Sequence, residues 1–270
     1  MKRVSAILII FIFLCRCEPA DNPIYETVYS AELTAPSHVK NGISSSVNVL
    51  IKPSDANATS AELFIDGKSY SKTLSKPFQF DVSLSDINTG EHSLFATITF
   101  TSGKIINTNE TKFVFIVSLA DIYKGGVVVK VTDGGLHGLI VARQDVPGGL
   151  LGKYKYGAYN ENYQAFSMDD GLENTNKFIG KYNNDYAAIA CLNLTLNGFD
   201  DWYLPAYNEY LLFEPYRALL NISERGGNIY WTSTQSSSSQ NKAFVYSFGG
   251  MIGNPVDIQA SYYARPCRRF

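Results

Sequence analysis

Residues 197–205 read Asn197-Gly198-Phe199-Asp200-Asp201-Trp202-Tyr203-Leu204-Pro205 and separate two stretches with helical periodicity. Before them, four apolar residues between 187 and 194 share one helical face, which Asn183-Asn184 is able to cap. The Asn197-Gly198 pair predicts where this first helix ends. Pro205 suits the first turn of a second helix, where its missing N–H costs nothing.

Alternating strands surround these two helices. Residues 127–131 and 136–142 precede them, and shorter runs follow at residues 230–233 and 243–248. Two helices among short strands predict an α+β domain with a small mixed sheet over residues 122–270.

Residues 25–118 show a different pattern, in which apolar and polar side chains alternate. One run is Phe78-Gln79-Phe80-Asp81-Val82-Ser83-Leu84. Such alternation is typical of strands with one buried face. Turn signals separate the runs, at Asn41-Gly42, Asp66-Gly67, Thr89-Gly90 and Ser102-Gly103. Short strands at this spacing predict an all-β sandwich as the first of two domains.

Residues 1–17 read as an export signal. A positive start precedes an apolar run over residues 4–14, which is too short to span a bilayer as a helix. A leucine lies three residues before Cys17, a spacing that resembles the bacterial lipobox, although Cys15 is a rival acceptor and an ordinary secretory signal is the alternative. We therefore expect an exported outer-membrane lipoprotein at the cell surface, held to the membrane through lipidated Cys17. Residues 18–24 then form a linker.

The composition favours a folded protein and argues against a nucleic-acid partner. Hydrophobic residues make up 45% of the chain, charged residues 18%, and the formal net charge is -2. This balance offers no general electrostatic attraction to a phosphate backbone. After Cys17 the chain holds only Cys191 and Cys267. An even pair in an exported protein favours a disulfide, and two buried free thiols are the alternative.

One stretch of the first domain resembles a known domain type. Thr89-Gly90-Glu91-His92-Ser93-Leu94-Phe95-Ala96-Thr97 is similar to a strand of bacterial immunoglobulin-like domains, and residues 62–67 fit the same group. The resemblance implies an immunoglobulin-like β-sandwich that serves as a stalk for the second domain. His92 is interpreted as structural rather than as a metal ligand, since a lone histidine beside a strand start rarely holds a metal.

The second domain carries a series of ordered motif blocks. They are Gly125-Gly126, His137-Gly138-Leu139, Asn174-Thr175, Ala187-Ala188 with Cys191, the stretch 197–205 with Glu209, and Trp231-Thr232-Ser233-Thr234 with Arg265-Pro266-Cys267-Arg268. Their order resembles the Lcl C-terminal domain family, named for a bacterial collagen-like adhesin. The resemblance implies a C-type-lectin-like α+β fold, into which a pairing of Cys191 with Cys267 fits. It also implies adhesion to host or matrix glycans.

Most of these motif residues have a structural explanation. Trp202 and Trp231 are predicted core anchors, because each buries a large ring with one N–H to satisfy. Asp201 is expected to bond local backbone, and so is His137. The structural motif as a whole comprises Asp201, Trp202, Pro205, Trp231 and Arg265.

The chemistry of most enzymes is missing from the sequence. It contains no nucleophile elbow, Walker loop, dinucleotide fingerprint or His-x-x-x-His pair, and only three histidines. We therefore predict no enzyme activity, no cofactor and no metal, and we do not expect calcium-dependent sugar binding because the usual lectin tripeptides are absent. The lectin-like fold also hosts cysteine-dependent oxidases, so two free thiols would bring an enzyme back into consideration.

A binding function remains, and one segment is the candidate site. Lys153-Tyr154-Lys155-Tyr156-Gly157-Ala158-Tyr159, with Tyr163 nearby, interleaves basic and aromatic residues. Tyrosine rings stack on sugar faces and lysines meet acidic groups, so a glycan or a host or matrix protein is the expected partner. An ordinary loop with buried tyrosines is the alternative. A structural or accessory subunit of a surface appendage or polysaccharide-uptake complex is the alternative function.

Overall fold

The computed structural model describes residues 28–270 apart from 55, 86, 182–184, 223–227, 249 and 251–253. The predicted export signal, the linker, lipidated Cys17 and the predicted cap Asn183-Asn184 all lie outside the described residues. Within the described part of the chain, no helix is both long and apolar enough to cross a bilayer.

The first domain is the predicted all-β sandwich. Its strands are β1 (Ser30–Thr34), β2 (His38–Lys40), β3 (Ser45–Lys52), β4 (Ala58–Ile65), β5 (Lys68–Thr73), β6 (Gln79–Val82), β7 (Gly90–Phe100), β8 (Ile105–Asn107) and β9 (Thr111–Ile116). One sheet has the order β1-β3-β6, and the other has the order β2-β9-β7-β4-β5 with β8 paired to β7. Among the described strands of this sandwich, β2 alone runs parallel to its neighbour, β9.

The core of the sandwich follows from the period-two pattern. On β7, the side chains of Leu94, Ala96, Ile98 and Phe100 are at most 3% exposed, while their neighbours along the strand are only half-buried. Successive side chains of a strand point to opposite faces, so an alternating sequence buries one face and leaves the other in water. The predicted alternation is confirmed.

The second domain combines strands with short helices. Its strands are β10 (Ile122–Tyr123), β11 (Gly126–Thr132), β12 (His137–Ala142), β13 (Ile229–Gln235), β14 (Lys242–Ser247), β15 (Val256–Asp257) and β16 (Cys267–Arg269), and its helices are α1 (Gly171–Asn176), α2 (Ala187–Leu192) and α3 (Tyr207–Leu211). One sheet has the order β10-β11-β12-β16, and the other has the order β13-β14-β15.

The helices are shorter than the sequence predicts. Helix α2 ends at Leu192 and not at Asn197-Gly198, because the chain turns there into an antiparallel bridge between Leu196 and Phe199. Helix α1 was not predicted. It begins where the Asp170 carboxylate accepts a hydrogen bond from the backbone N–H of Glu173, a local N-cap.

The sheet β10-β11-β12-β16 divides the core of this domain into two layers. Val141 and Cys267 face the layer that contains α3, while Ile140 faces a second layer that is continuous with the sandwich core. Trp202 and Trp231 are both at most 1% exposed, and their indole N–H groups donate to backbone oxygens at 3.1 and 2.7 Å. Both tryptophans are therefore the predicted core anchors.

The cysteines correct one prediction. Cys191 and Cys267 are fully buried free thiols, so the predicted disulfide is absent. Cys191 packs in the layer shared with the sandwich, and Cys267 packs in the layer of α3. A disulfide requires Cβ atoms about 3.8 Å apart on facing side chains. Burial raises the pKa of both thiols above the ordinary value, which keeps them protonated.

Candidate functional site

The predicted aromatic binding segment is mostly part of the core. Tyr154, Tyr156 and Tyr163 are 3%, 1% and 4% exposed, so none of these rings offers a face to a ligand. The hydroxyls of Tyr154 and Tyr156 donate to the backbone oxygens of Pro147 and Ser233 at 2.6 and 2.8 Å. These three tyrosines therefore have no ring face available for stacking on a sugar, and the alternative of buried tyrosines describes them.

The surroundings of this segment explain the burial. Tyr154 pairs with Tyr262 as an isolated antiparallel bridge, so the segment is extended like a strand. Alternate side chains then point inward, and the two lysines point outward. The Lys155 Nζ donates to Gln259 at 3.2 Å, and the Lys153 Nζ lies 5.0 Å from the ring of Tyr263.

Only Tyr159 of the predicted tyrosines is exposed, at 60%. Tyr163 is fixed from two sides. Its ring stacks on Phe178 at a centroid distance of 4.1 Å, and its hydroxyl accepts the backbone N–H of Ala158 at 2.8 Å. Burial raises the pKa of Tyr163 to about 12. The segment therefore stabilises the fold, and a binding surface has to be sought elsewhere.

A cleft of about 550 Å³ opens where β11, β12 and β16 meet the start of α3. We call it the β–α3 cleft. It is lined by Lys130, Thr132, His137, Gly138, Leu139, Asp169, Asn208, Glu209, Leu212, Arg269 and Phe270. The cavity is thus bordered by positively charged, negatively charged and apolar side chains. No single segment of the sequence indicates it, because these side chains come from several segments.

Glu209 forms the rigid inner wall of the β–α3 cleft. Its carboxylate is buried and accepts three hydrogen bonds, from the backbone N–H groups of Gly171 at 3.1 Å and Ala206 at 2.8 Å and from the Tyr203 hydroxyl at 2.9 Å. Burial raises the pKa of Glu209, although these bonds favour the ionised form. With its acceptors occupied, Glu209 holds the starts of α1 and α3 together and is not free to bind a ligand.

The strand side of the cleft presents unpaired donors. Lys130 on β11 and His137 on β12 have no side-chain partner among the described residues. Arg269 on β16 is partly neutralised, because its guanidinium donates to Asp170 at 2.8 Å. Burial alone would lower the pKa of Arg269, but the hydrogen bond to Asp170 raises it. Since the His137 side chain makes no hydrogen bond among the described residues, the expectation that it bonds backbone is wrong.

The helix side of the cleft presents acceptors. The Asn208 side-chain nitrogen donates to Asp169 Oδ1 at 2.7 Å, which leaves Asn208 Oδ1 and Asp169 Oδ2 available as acceptors. Gly138 shapes the floor, because a Cβ there would lie 2.0 Å from the backbone oxygen of Lys130 and 2.7 Å from the ring of Phe270. The ring of Phe270 therefore packs directly on the strand backbone.

The structural motif residues act away from the cleft. Asp201 forms a bidentate ion pair with Arg268 at 2.6 and 2.9 Å rather than the predicted bonds to local backbone. Arg265 is 2% exposed and binds Asp145 at 2.7 Å together with two backbone oxygens. The Pro205 backbone oxygen accepts the N–H of Ser233 at 2.7 Å. Each of these residues thus bonds another part of the chain.

No group of three or more histidine, cysteine, aspartate or glutamate side chains in the described ranges has an arrangement that could hold a metal ion. His92, which the sequence assigns a structural role, bonds Asp66 at 2.6 Å and the backbone oxygen of Asn88 at 2.8 Å.

Comparisons with known proteins give little guidance. No family model and no curated protein matches the chain. A solved structure of fibronectin(III)-like modules of Clostridium thermocellum CbhA matches with 15% sequence identity and a TM-score of 0.28, covering 32% of this chain and 93% of that chain. The description of the first domain as an all-β sandwich therefore rests on its own strands and core.

Proposed function

We propose that this chain is a lipid-anchored cell-surface binding protein that recognises a glycan, free or on a host or matrix protein, in the β–α3 cleft. The observation that carries the proposal is the cleft itself, a cavity of about 550 Å³ in which polar side chains border apolar ones. Cavities of a few hundred Å³ with a small number of placed polar groups are typical of small-molecule sites.

The side chains of the cleft suit a sugar ring. Leu212 and Phe270 are partly exposed and offer apolar surface to the C–H face of a ring. Lys130 donates hydrogen bonds only, whereas the free oxygen of Asp169 accepts them. Sugar hydroxyls both donate and accept, so one ring satisfies the strand side and the helix side together.

The proposal includes the finer assignments made from the sequence. The order of the motif blocks supports a C-type-lectin-like α+β fold of the Lcl type for residues 122–270. The pattern around residues 89–97 supports an immunoglobulin-like sandwich for residues 25–118, and the spacing before Cys17 supports the lipid anchor. In this arrangement the sandwich spaces the cleft from the membrane.

A glycan array tests the proposal with the chain from residue 18 onward, in calcium and in EDTA. We expect a specific set of glycans to bind in both buffers, because the described residues offer no cluster of metal ligands. Binding only in calcium would contradict the cleft as the site. No binding in either buffer would overturn the glycan proposal and favour an accessory subunit that binds protein.

A further inference from the structure

His92 lies at the end of the sandwich core that faces the second domain, and both of its ring nitrogens meet acceptors. The Nδ1 atom is 2.6 Å from Asp66 Oδ2, and the Nε2 atom is 2.8 Å from the backbone oxygen of Asn88. A neutral imidazole has one N–H and one lone pair, so it cannot donate to two acceptors. The two bonds therefore require the charged ring with two protons.

Asp66 is an ionised acceptor in this arrangement. Burial tends to raise the pKa of Asp66, but hydrogen bonds from His92 and from the backbone N–H of Ser93 outweigh it and lower the pKa.

Asn88 belongs to the segment 87–89, which we call the junction loop because it contacts the second domain through each of its residues. The contacts are Tyr123 O–H to the Ile87 backbone oxygen at 2.8 Å, Lys124 Nζ to Asn88 Oδ1, and Thr89 O–H to the Leu136 backbone oxygen at 2.5 Å. His92 holds this loop from the sandwich side, so its protonation state acts directly on the contact between the domains.

Charged side chains of the described residues also surround the ring. Lys68 acts on Asp66 and Lys124 on Asn88, while Glu91 and Lys112, from the neighbouring strand positions, pair with each other at 2.6 Å. The His92 side chain is 11% exposed and stacks on Phe113 at a centroid distance of 5.5 Å. If the ring lost a proton, its lone pair would face either the carboxylate or the backbone oxygen, and one of the two bonds would be replaced by repulsion.

We infer that His92 is a proton-dependent latch between the two domains. In its charged form it fixes the junction loop against the second domain, and loss of a proton releases the loop. Histidine is the side chain that ordinarily changes charge between about pH 5 and 8. The latch is closed while the ring carries both protons and opens when it loses one, which changes how firmly the sandwich holds the cleft-bearing domain.

A pH titration followed by nuclear magnetic resonance tests the latch in the chain from residue 18 onward. The chain has three histidines, so the ring signals of His38, His92 and His137 are readily separated. We expect the backbone amide shifts of residues 87–89 to follow the His92 ring and neither of the others. Loop shifts that stay constant while the His92 ring titrates would overturn the inference, and so would a neutral ring on the acidic side. This test needs no variant.

A protease assay measures the release of the loop with a matched pair of variants. In the unmodified chain, cleavage within residues 87–89 should be at least about tenfold faster at about pH 8 than at about pH 5.5. The rates are corrected for the pH dependence of the protease itself. A change of about tenfold is the size expected for the loss of one hydrogen bond to a charged group. His92→Gln should cleave rapidly at both values. His38→Gln should behave like the unmodified chain, because His38 is exposed and its ring bonds Ser37, with no bond to residues 87–89 among the described residues. Equal rates at both pH values in the unmodified chain would contradict the latch.

Discussion

The buried carboxylate of Glu209 makes the sharpest prediction about stability. Glu209→Ala leaves the Tyr203 hydroxyl and the backbone N–H groups of Gly171 and Ala206 without their acceptor, and all three are buried. An unsatisfied buried donor costs about 1–3 kcal/mol. Glu209 borders the β–α3 cleft, so we take the lower value for each donor and expect a loss of about 3 kcal/mol.

Glu209→Gln is the matched control. Its amide oxygen keeps an acceptor for both backbone N–H groups, and its amide N–H₂ turns to donate to the Tyr203 hydroxyl, so we expect a loss below about 1 kcal/mol. The raised pKa of Glu209 adds a dependence on pH. The protonated carboxyl is favoured in the folded state, so its contribution is complete below the unfolded pKa and is lost as the pH rises through the folded pKa. Glu209→Gln should lack this loss.

Thermal and denaturant unfolding of the three proteins measures these differences. For a chain of this size, about 3 kcal/mol corresponds to a fall in Tm of about 6–12 °C for Glu209→Ala. The reasoning would be refuted if the free energy of unfolding of Glu209→Ala lay within about 1 kcal/mol of that of the unmodified chain. It would also be refuted if Glu209→Gln lost as much stability as Glu209→Ala, to within about 1 kcal/mol.

Further predictions concern the thiols and the ion pairs. Cys191 and Cys267 should react with a thiol reagent only after unfolding, because both are buried and protonated; non-reducing mass analysis that finds a disulfide would contradict this. Asp201→Asn should destabilise the chain by about 1–3 kcal/mol in urea, because it removes the charged partner of buried Arg268. The pKa of Asp66 is lowered, so its carboxylate stabilises the fold at pH values above the ordinary 3.8, and this contribution disappears as the pH falls below that value. In Asp66→Asn the free energy of unfolding should therefore fall less steeply in acid than in the unmodified chain.

The sandwich was predictable from the sequence because its signal is local. Every second residue of β7 from Leu94 to Phe100 is apolar, and the turn pairs such as Asp66-Gly67 mark where strands end. Gly67 has a φ of 73°, which a glycine adopts without strain. Local patterns of this kind need no knowledge of distant partners.

The prediction that the buried tyrosine rings of this segment bind a ligand was wrong for a physical reason. Alternation places Tyr154 and Tyr156 on one face and Lys155 on the other, but it does not say which face meets the core. Tyrosine is amphipathic, so its composition suits either a binding surface or a core in which each hydroxyl finds a backbone oxygen. The structure has the second arrangement.

The cleft could not be predicted from the sequence, because the residues that line it are far apart in the chain. Lys130 and Arg269 lie on two different strands and Asp169 lies in the loop before α1, and they meet only after the sheet and α3 have packed. The same holds for Asp201 and Arg268, which are 67 residues apart. No spacing rule connects such pairs.

The most direct test of the central claim is the dissociation constant of one array-positive glycan for three proteins. These are the unmodified chain, the cleft variant Lys130→Ala with Asp169→Ala, and Tyr159→Ala, which removes the remaining exposed tyrosine of the segment first predicted to bind. Loss of hydrogen bonds to two charged groups should weaken binding by the cleft variant at least about tenfold, while Tyr159→Ala binds as tightly as the unmodified chain. Equal affinity of the cleft variant and the unmodified chain would contradict the account.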